Sequence, residues 1–199
     1  MNLNRLKIAT KLWFFISLIL VLLVGIAGVG LVRSASILAE GRSQQLVAYQ
    51  MVQAATRWNG LTETNATRNH AMIISSDAAL TDAFKNAVTA TSNEISVMQK
   101  ELESLPLTDA DKSQLQKIAE LRKSMIALRE KARGARAEGK ADEAVQILNT
   151  QYLPTMASYI GAQKELVKMQ EQRVVDVQTD TERRRQSNIM GIVAGLHQF

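Results

Sequence analysis

The sequence predicts an all-α protein: an antiparallel up-down-up-down four-helix bundle with an N-terminal transmembrane helix and the start of a second one. Three observations predict this fold class. The 199 residues include only 10 glycines and 2 prolines, too few turn residues for a sandwich, a barrel or an α/β sheet. One long uncharged stretch lies near the N-terminus. Apolar residues recur every three or four positions through most of the remaining chain, as they do in packed helices.

The composition also excludes several classes of function. Without cysteine, a disulfide scaffold, a thiol nucleophile and a cysteine-ligated zinc site are excluded. His70 and His197 lack metal-ligand spacing, so we predict no metal site and no histidine-based triad. The sequence has no phosphate-binding loop, no paired catalytic carboxylates and no nucleophile constellation, so we predict no cofactor, no catalytic residues and no enzymatic activity. Arg5, Lys7 and Lys11 account for most of the net charge of +5, since the remaining 21 basic residues face 19 acidic ones. Such a mixed surface does not predict nucleic-acid binding.

Residues 12–32, which read LWFFISLILVLLVGIAGVGLV, form the uncharged stretch. At 1.5 Å per residue, a helix of this length spans a hydrocarbon core of about 30 Å. A signal peptide is the alternative, but its apolar core is shorter, at roughly 7–15 residues, and ends at a small-residue cleavage site. Basic residues dominate residues 1–11, so we expect that segment in the cytoplasm and the chain from Arg33 onward on the outer side of the membrane. In a Gram-negative bacterium, the outer side of the inner membrane is the periplasm.

Residues 188–199, which read NIMGIVAGLHQF, form a second apolar segment. Its apolar part, residues 189–196, is too short to span a bilayer. We interpret the segment as the start of a second transmembrane helix, cut short, and a frayed tail is the alternative. Arg183, Arg184 and Arg185 would then lie at the headgroup level on the outer side, which departs from the positive-inside rule.

Residues 33–187 are predicted to form the periplasmic bundle. Four apolar stripes with alternating steps of three and four residues indicate four helices packed in a coiled-coil-like manner. The stripes are Val47, Met51, Ala54, Trp58, Leu61, Asn65, Arg68 and Met72; Phe84, Val88, Thr91, Ile95, Met98, Leu102 and Leu105; Leu115, Ile118, Arg122, Met125, Arg129 and Ala132; and Leu148, Tyr152, Met156, Tyr159, Gln163 and Leu166.

The breaks between the stripes contain residues that start and stop helices. Serines and an aspartate offer N-caps for the second helix, a proline ends that helix, and a threonine or an aspartate caps the third. Two glycines bracket the turn into the fourth helix, and a second proline should kink it near its start. Short connections make neighbouring helices antiparallel. The N-caps of the second helix are Ser75, Ser76 and Asp77, the proline that ends it is Pro106, and the caps of the third helix are Thr108 or Asp109. The bracketing glycines are Gly134 and Gly139, and the second proline is Pro154.

This organisation resembles the periplasmic half of a bacterial methyl-accepting chemotaxis receptor. Residues 57–69, RWNGLTETNATRN, and residues 152–154, YLP, are similar to versions found in environmental proteobacteria. The resemblance implies a ligand-binding domain, a homodimer, and control of a cytoplasmic histidine kinase through an adaptor. The HAMP linker and the methylated coiled coil of a complete receptor do not occur in the sequence, so we expect a sensor fragment or a truncated gene.

Polar residues interrupt the apolar stripes in the half of the bundle far from the membrane. No Asp or Glu occupies these parts of the stripes, and a guanidinium that faces a core without a counter-charge costs several kcal/mol. Arginine binds carboxylates bidentately, so we predict that a di- or tricarboxylate such as citrate or malate binds here. Helix geometry predicts two adjacent layers, one with Arg68, Arg129 and Tyr152 and one with Thr91, Arg122 and Tyr159. The predicted ligand-binding residues are Thr91, Arg122, Met125, Arg129, Tyr159, Tyr152, Gln163, Asn65 and Arg68.

Two kinds of alternative remain open. The arginine stems could lie along the bundle with their heads in water, or pair with acids outside the stripes such as Glu63, Glu94 and Glu130. The resemblance also implies a rival site at a dimer interface, with Arg57 and Arg68. As for function, the same bundle could serve a histidine kinase or a cyclic-dinucleotide enzyme, or be a ligandless membrane-anchored scaffold.

Overall fold

The computed structural model describes residues 8–75 and 77–196, and in this part of the chain every regular element is helical. The all-α prediction is therefore confirmed. Ser76 and the residues before Ile8 or after Leu196, among them Arg5, Lys7 and His197, lie outside the described residues. The helices are α1 (Ile8–Ile74), α2 (Ala78–Glu103), α3 (Asp109–Ala137), α4 (Ala141–Ile147) and α5 (Leu153–Leu196), and a π-helical turn (Leu148–Tyr152) joins α4 to α5.

The chain divides into two compact units. Residues 47–173 form the four-helix bundle, in which α4, the π-helical turn and the start of α5 together make the fourth helix. The second unit combines the chain before Val47 with the chain after Arg173.

The predicted caps of α2 and α3 are present. The Asp77 side chain accepts a hydrogen bond from the backbone N–H of Ala79 (2.9 Å). Thr108 caps α3 in a reciprocal capping box: its Oγ1 accepts from the N–H of Asp111 (3.2 Å), and the Asp111 carboxylate accepts from the N–H of Thr108 (2.8 Å). Pro106 lies between α2 and α3, as expected from its missing N–H.

The third connection differs from the prediction. Gly134 lies inside α3, because Ala132 and Ala135 on either side of it are buried and hold the helix against the core. The turn uses Gly139 alone, at φ 78°, which glycine adopts at low cost. The irregularity expected near Pro154 takes the form of the π-helical turn, in which the N–H of Leu153 bonds to the carbonyl of Leu148 five residues earlier.

The second, third and fourth stripes supply the core of the bundle, as predicted. The first stripe is wrong at every second position. Val47, Ala54, Leu61 and Arg68 are only half-buried, at the edge of the core, and the residue after each of them is the fully buried one. The cause is that this seam is small and polar, so a search for apolar residues selects its neighbours. The buried seam of α1 is Ala48, Met51, Ala55, Trp58, Thr62, Asn65, Asn69 and Met72.

In the second unit, the first part of α1 packs against the last part of α5. Gly30 lies directly under Ile192, since a Cβ at this glycine would overlap the Ile192 side chain. The carbonyl of Gly30 accepts a hydrogen bond from Asn188 Nδ2 (3.0 Å). Most apolar side chains of residues 12–32 are exposed. Among the described residues, α1 is the one helix whose length and composition suffice to cross a membrane.

Candidate ligand-binding site

A small cavity of about 20 Å³ lies inside the bundle, between α1, α2, α3 and α5. Its volume suits a group the size of one water molecule. Five of the predicted ligand-binding residues line it, which are Asn65, Arg122, Met125, Arg129 and Tyr159. The other four do not line this cavity.

Arg122 donates to neutral groups of α2. Its Nη1 donates to Gln99 Oε1 (2.9 Å), and its Nη2 donates to Ser96 Oγ (2.8 Å) and to the carbonyl of Ser92 (3.3 Å). No carboxylate in the described part of the chain lies within 4.0 Å of this guanidinium. The half-buried charge of Arg122 is therefore hydrogen-bonded but not neutralised.

Arg129 does have a counter-charge, which is the alternative that the sequence left open for this residue. Its Nε donates to Glu130 Oε1 (2.9 Å), although the Arg129 side chain is only 13% exposed. Glu130, one of the three acids outside the stripes that were considered as partners, follows Arg129 directly and lies at the surface. Among residues 8–75 and 77–196, the hydrogen bonds of Arg129 use Nε alone, so both terminal nitrogens stay available.

The other two acids considered as partners pair elsewhere. Glu94 pairs with Arg57. Glu63 pairs with Lys164, at 2.9 Å between Oε1 and Nζ. Neither acid neutralises the arginines that border the cavity.

Arg68 and Thr91 contact each other, although they were predicted in different layers. Arg68 Nη1 donates to Thr91 Oγ1 (3.0 Å), which itself donates to the carbonyl of Ala87 (2.8 Å). Helical side chains lean toward the N-terminus of their helix. The long Arg68 side chain therefore reaches a layer below its own Cα.

Three polar residues of α1, Thr62, Asn65 and Asn69, form one wall of the cavity. Gln163 Nε2 donates to Thr62 Oγ1 (3.0 Å), which ties the predicted residue Gln163 to α1. Asn65 Nδ2 donates to Ser92 Oγ (3.0 Å), and Asn69 Nδ2 donates to the carbonyl of Asn65 (2.8 Å). Both Oδ1 atoms of these asparagines are buried without a partner among the described residues. They are free to accept a hydrogen bond from a ligand.

Two buried tyrosines lie beside the arginines. Tyr159 accepts a hydrogen bond from Trp58 Nε1 (3.2 Å). Burial raises the pKa of Tyr159, against the hydrogen bonds and the charge of Arg122. Burial raises the pKa of Tyr152 to about 12, against the charges of Arg129 and Arg133. The Tyr152 hydroxyl has no partner among the described residues.

A second polar network lies at the start of α3, away from the cavity. Asp111 is 2% exposed and accepts from Gln170 Nε2 (2.6 Å) and from Arg173 Nη1 (3.0 Å). Burial raises the pKa of Asp111, but the hydrogen bonds from Thr108 and Gln170 and the charge of Arg173 outweigh it and hold the pKa below its usual value. The network joins α3 to α5.

The comparison with known families identifies this bundle. Residues 5–184 match the family of four-helix-bundle sensory modules for signal transduction, the modules found in methyl-accepting chemoreceptors. The chain belongs to this family. A comparison with curated proteins finds no match. The resemblance inferred from the sequence is confirmed, and the polar cavity lies inside a module that serves signalling.

Stripe analysis missed three polar residues that line the cavity of the sensory module: Thr62, Asn69 and Ser92. Thr62 and Asn69 could have been found from Asn65, since steps of three back and four forward keep a helix face. Ser92 lies beside the stripe residue Thr91, and its contact with Asn65 is set by how α2 rotates against α1. Among residues 8–75 and 77–196, no group of three His, Asp or Glu side chains could hold a metal.

The two tyrosines should respond differently to loss of the hydroxyl. We expect Tyr159→Phe to lower the free energy of unfolding by about 1–3 kcal/mol, because it leaves the buried Trp58 N–H without an acceptor. We expect Tyr152→Phe to be neutral or stabilising, because it removes an unpartnered buried hydroxyl. Urea unfolding of the full chain in detergent micelles, followed by circular dichroism, measures both. Equal losses of stability in the two variants would contradict this assignment of partners.

Proposed function

We propose that this sensory module binds a small di- or tricarboxylate inside its bundle and converts binding into a displacement of α5 that crosses the inner membrane. The single observation that carries the proposal is Arg122, whose half-buried guanidinium borders the cavity and, within residues 8–75 and 77–196, contacts neutral acceptors only. Citrate and malate are representative ligands of the proposed class.

The chemistry of Arg122 favours an anion. A carboxylate offers a guanidinium two parallel hydrogen bonds and a counter-charge, which neutral acceptors such as Gln99 and Ser96 do not offer together. A ligand carboxylate that replaced Gln99 and Ser96 would therefore gain energy at this site. Arg129 would offer its two terminal nitrogens to a second carboxylate, and the Oδ1 atoms of Asn65 and Asn69 would accept from a ligand hydroxyl.

The size of the cavity supports a coupling between binding and movement. At about 20 Å³, the cavity is too small for a dicarboxylate. The helices must therefore separate before the ligand fits, and the ligand would select that separated packing. Because α5 carries Tyr159 at the cavity and continues to Leu196, movement at the site would reach the second unit.

The remaining parts of the proposal follow from the family and from α1. The bundle would lie in the periplasm, α1 would anchor it in the inner membrane, and the working unit would be a homodimer without enzymatic activity of its own. A cytoplasmic part would control a histidine kinase through an adaptor. The same module on a histidine kinase or on a cyclic-dinucleotide enzyme is the alternative output.

Calorimetric titration tests the ligand class. The full chain in lipid nanodiscs is titrated with citrate, malate, succinate, aspartate and benzoate. We expect a di- or tricarboxylate to bind and Arg122→Ala to weaken it at least thirtyfold, since breaking a buried charged pair costs about 2 kcal/mol or more. Lys123→Ala is the matched control, because this exposed neighbour should leave the affinity unchanged.

Each other outcome overturns part of the proposal. Binding that survives Arg122→Ala but is lost in Arg68→Ala would move the site to α1 and favour the dimer interface. Absence of heat with all five acids would overturn the carboxylate ligand and favour a ligandless scaffold.

A further inference from the structure

A large groove of about 1100 Å³ lies in the second unit, between α1 and α5. It has no part in the proposed ligand site. On α1 it extends from Val21 to Ile37, and on α5 it extends from Arg183 to Ile192. Its occupant can be argued from the chemistry of its two ends.

The two ends of the groove differ in polarity. The end within the predicted span is apolar and is formed by Val21, Leu22, Ile26 and Val29 of α1. The opposite end is basic, with Arg33 on α1 and Arg183 and Arg184 on α5. An apolar slot with a basic mouth matches an amphiphile with a negatively charged head.

The positive charge at the mouth is only partly neutralised. Arg184 pairs with Glu40 (3.3 Å) and with Asp180 (3.0 Å). Arg33 and Arg183 form no ion pair with any described residue. Two guanidinium groups at the mouth therefore remain for an anion from outside the chain.

The length of the groove matches one leaflet of a bilayer. From Val21 to Arg33, α1 rises about 18 Å at 1.5 Å per residue. Half of a hydrocarbon core is about 15 Å thick, so an acyl chain beside Val21–Val29 would bring its phosphate to the level of Arg33. Guanidinium groups bind phosphate oxygens through charge-assisted, often bidentate hydrogen bonds, so a basic mouth at this level suits an anionic headgroup.

We propose that this groove binds an anionic glycerophospholipid, with its phosphate between Arg33 and Arg183 and an acyl chain against the apolar part of α1. The proposal depends on the proposed membrane span of α1 and not on the carboxylate site. A bound lipid would cover the contact between Gly30 and Ile192, and so influence how α5 moves against α1.

The test measures lipid retention by the full chain. The protein is purified in a mild detergent, mixed with phosphatidylglycerol or phosphatidylcholine, and examined by native mass spectrometry. We expect a preference for phosphatidylglycerol that falls about twenty-five-fold in the Arg33→Gln/Arg183→Gln double variant, since each arginine near an anionic surface contributes about fivefold. Arg185→Gln is the matched control, because Arg185 lies in the same basic run but does not line the groove.

Three results would overturn the proposal. They are equal retention of the two lipids, an equal loss in the Arg185→Gln control, and displacement of phosphatidylglycerol by millimolar inorganic phosphate, which would indicate a free-anion site.

Flotation of the wild-type chain with lipid vesicles tests the membrane span of α1 independently of the lipid site. A chain that fails to float contradicts the span, whereas one that floats without lipid preference contradicts only the lipid site.

Discussion

Replacing Asp111 with alanine is expected to lower the free energy of unfolding of the bundle by about 3–5 kcal/mol, because removal of one partner leaves the other charge of a buried ion pair uncompensated. Arg173 would lose its carboxylate, and Gln170 Nε2 would lose its acceptor. The backbone N–H of Thr108 would also lose the capping-box bond. Urea unfolding of the full chain in detergent micelles, followed by circular dichroism, measures the change.

Asp109→Ala is the matched control for this variant. Asp109 lies two residues earlier on the same helix, and its side chain is fully exposed in an ion pair with Lys112. Exposed pairs contribute little, typically about 0–1 kcal/mol. If Asp109→Ala destabilised the bundle as much as Asp111→Ala, the loss of stability would come from removing a negative charge at the N-terminus of α3 and not from breaking the buried network.

The Asp111 network also predicts how stability depends on pH. The pKa of this carboxyl is lower in the folded state than in the unfolded chain, so its contribution is present above the unfolded value of about 3.9 and is lost as pH falls through the folded pKa. Wild-type stability should therefore fall more steeply below about pH 4 than that of Asp111→Asn. If the free energy of unfolding of the two proteins fell in parallel below pH 4, this result would contradict the direction of the pKa shift.

Trp58→Ala is expected to cost about 3–5 kcal/mol, the range for removal of a large aromatic side chain from a core. Trp58 is 0% exposed, and its indole N–H is the hydrogen-bond partner of Tyr159. The variant would leave a void beside the proposed ligand site, and the Tyr159 hydroxyl would lose the hydrogen bond from the indole N–H. The same urea titration gives the magnitude.

Tyr49→Ala provides the control for Trp58, since it removes an aromatic side chain from α1 that is 53% exposed. Exposed substitutions usually change stability by about 0.5 kcal/mol or less. A loss at Tyr49 as large as that at Trp58 would mean that an interface with a second chain covers the outer face of α1. Trp58→Phe should recover part of the stability, because it refills most of the volume.

Local signals in the sequence were sufficient for most helix ends. Asp77 and Thr108 cap their helices because their side chains bond to N–H groups two or three residues away, and such bonds depend on adjacent residues only. Gly134 shows the limit of local reasoning. Burial of Ala132 and Ala135 keeps the helix intact across a residue that would favour a break by itself.

The sequence by itself determined the fold class, the family and three of the four core stripes, because apolar spacing along a helix reports directly which face is buried. Only the tertiary structure decided the rotation of α1 that buries Thr62 and Asn69, the contact of Arg68 with Thr91, and the choice of counter-charge for each arginine. These depend on how side chains of different helices meet, and no spacing along one chain records that. Arg122 and Arg129 occupy equivalent positions on one helix face, yet one faces neutral groups of α2 and the other pairs with its own neighbour, Glu130.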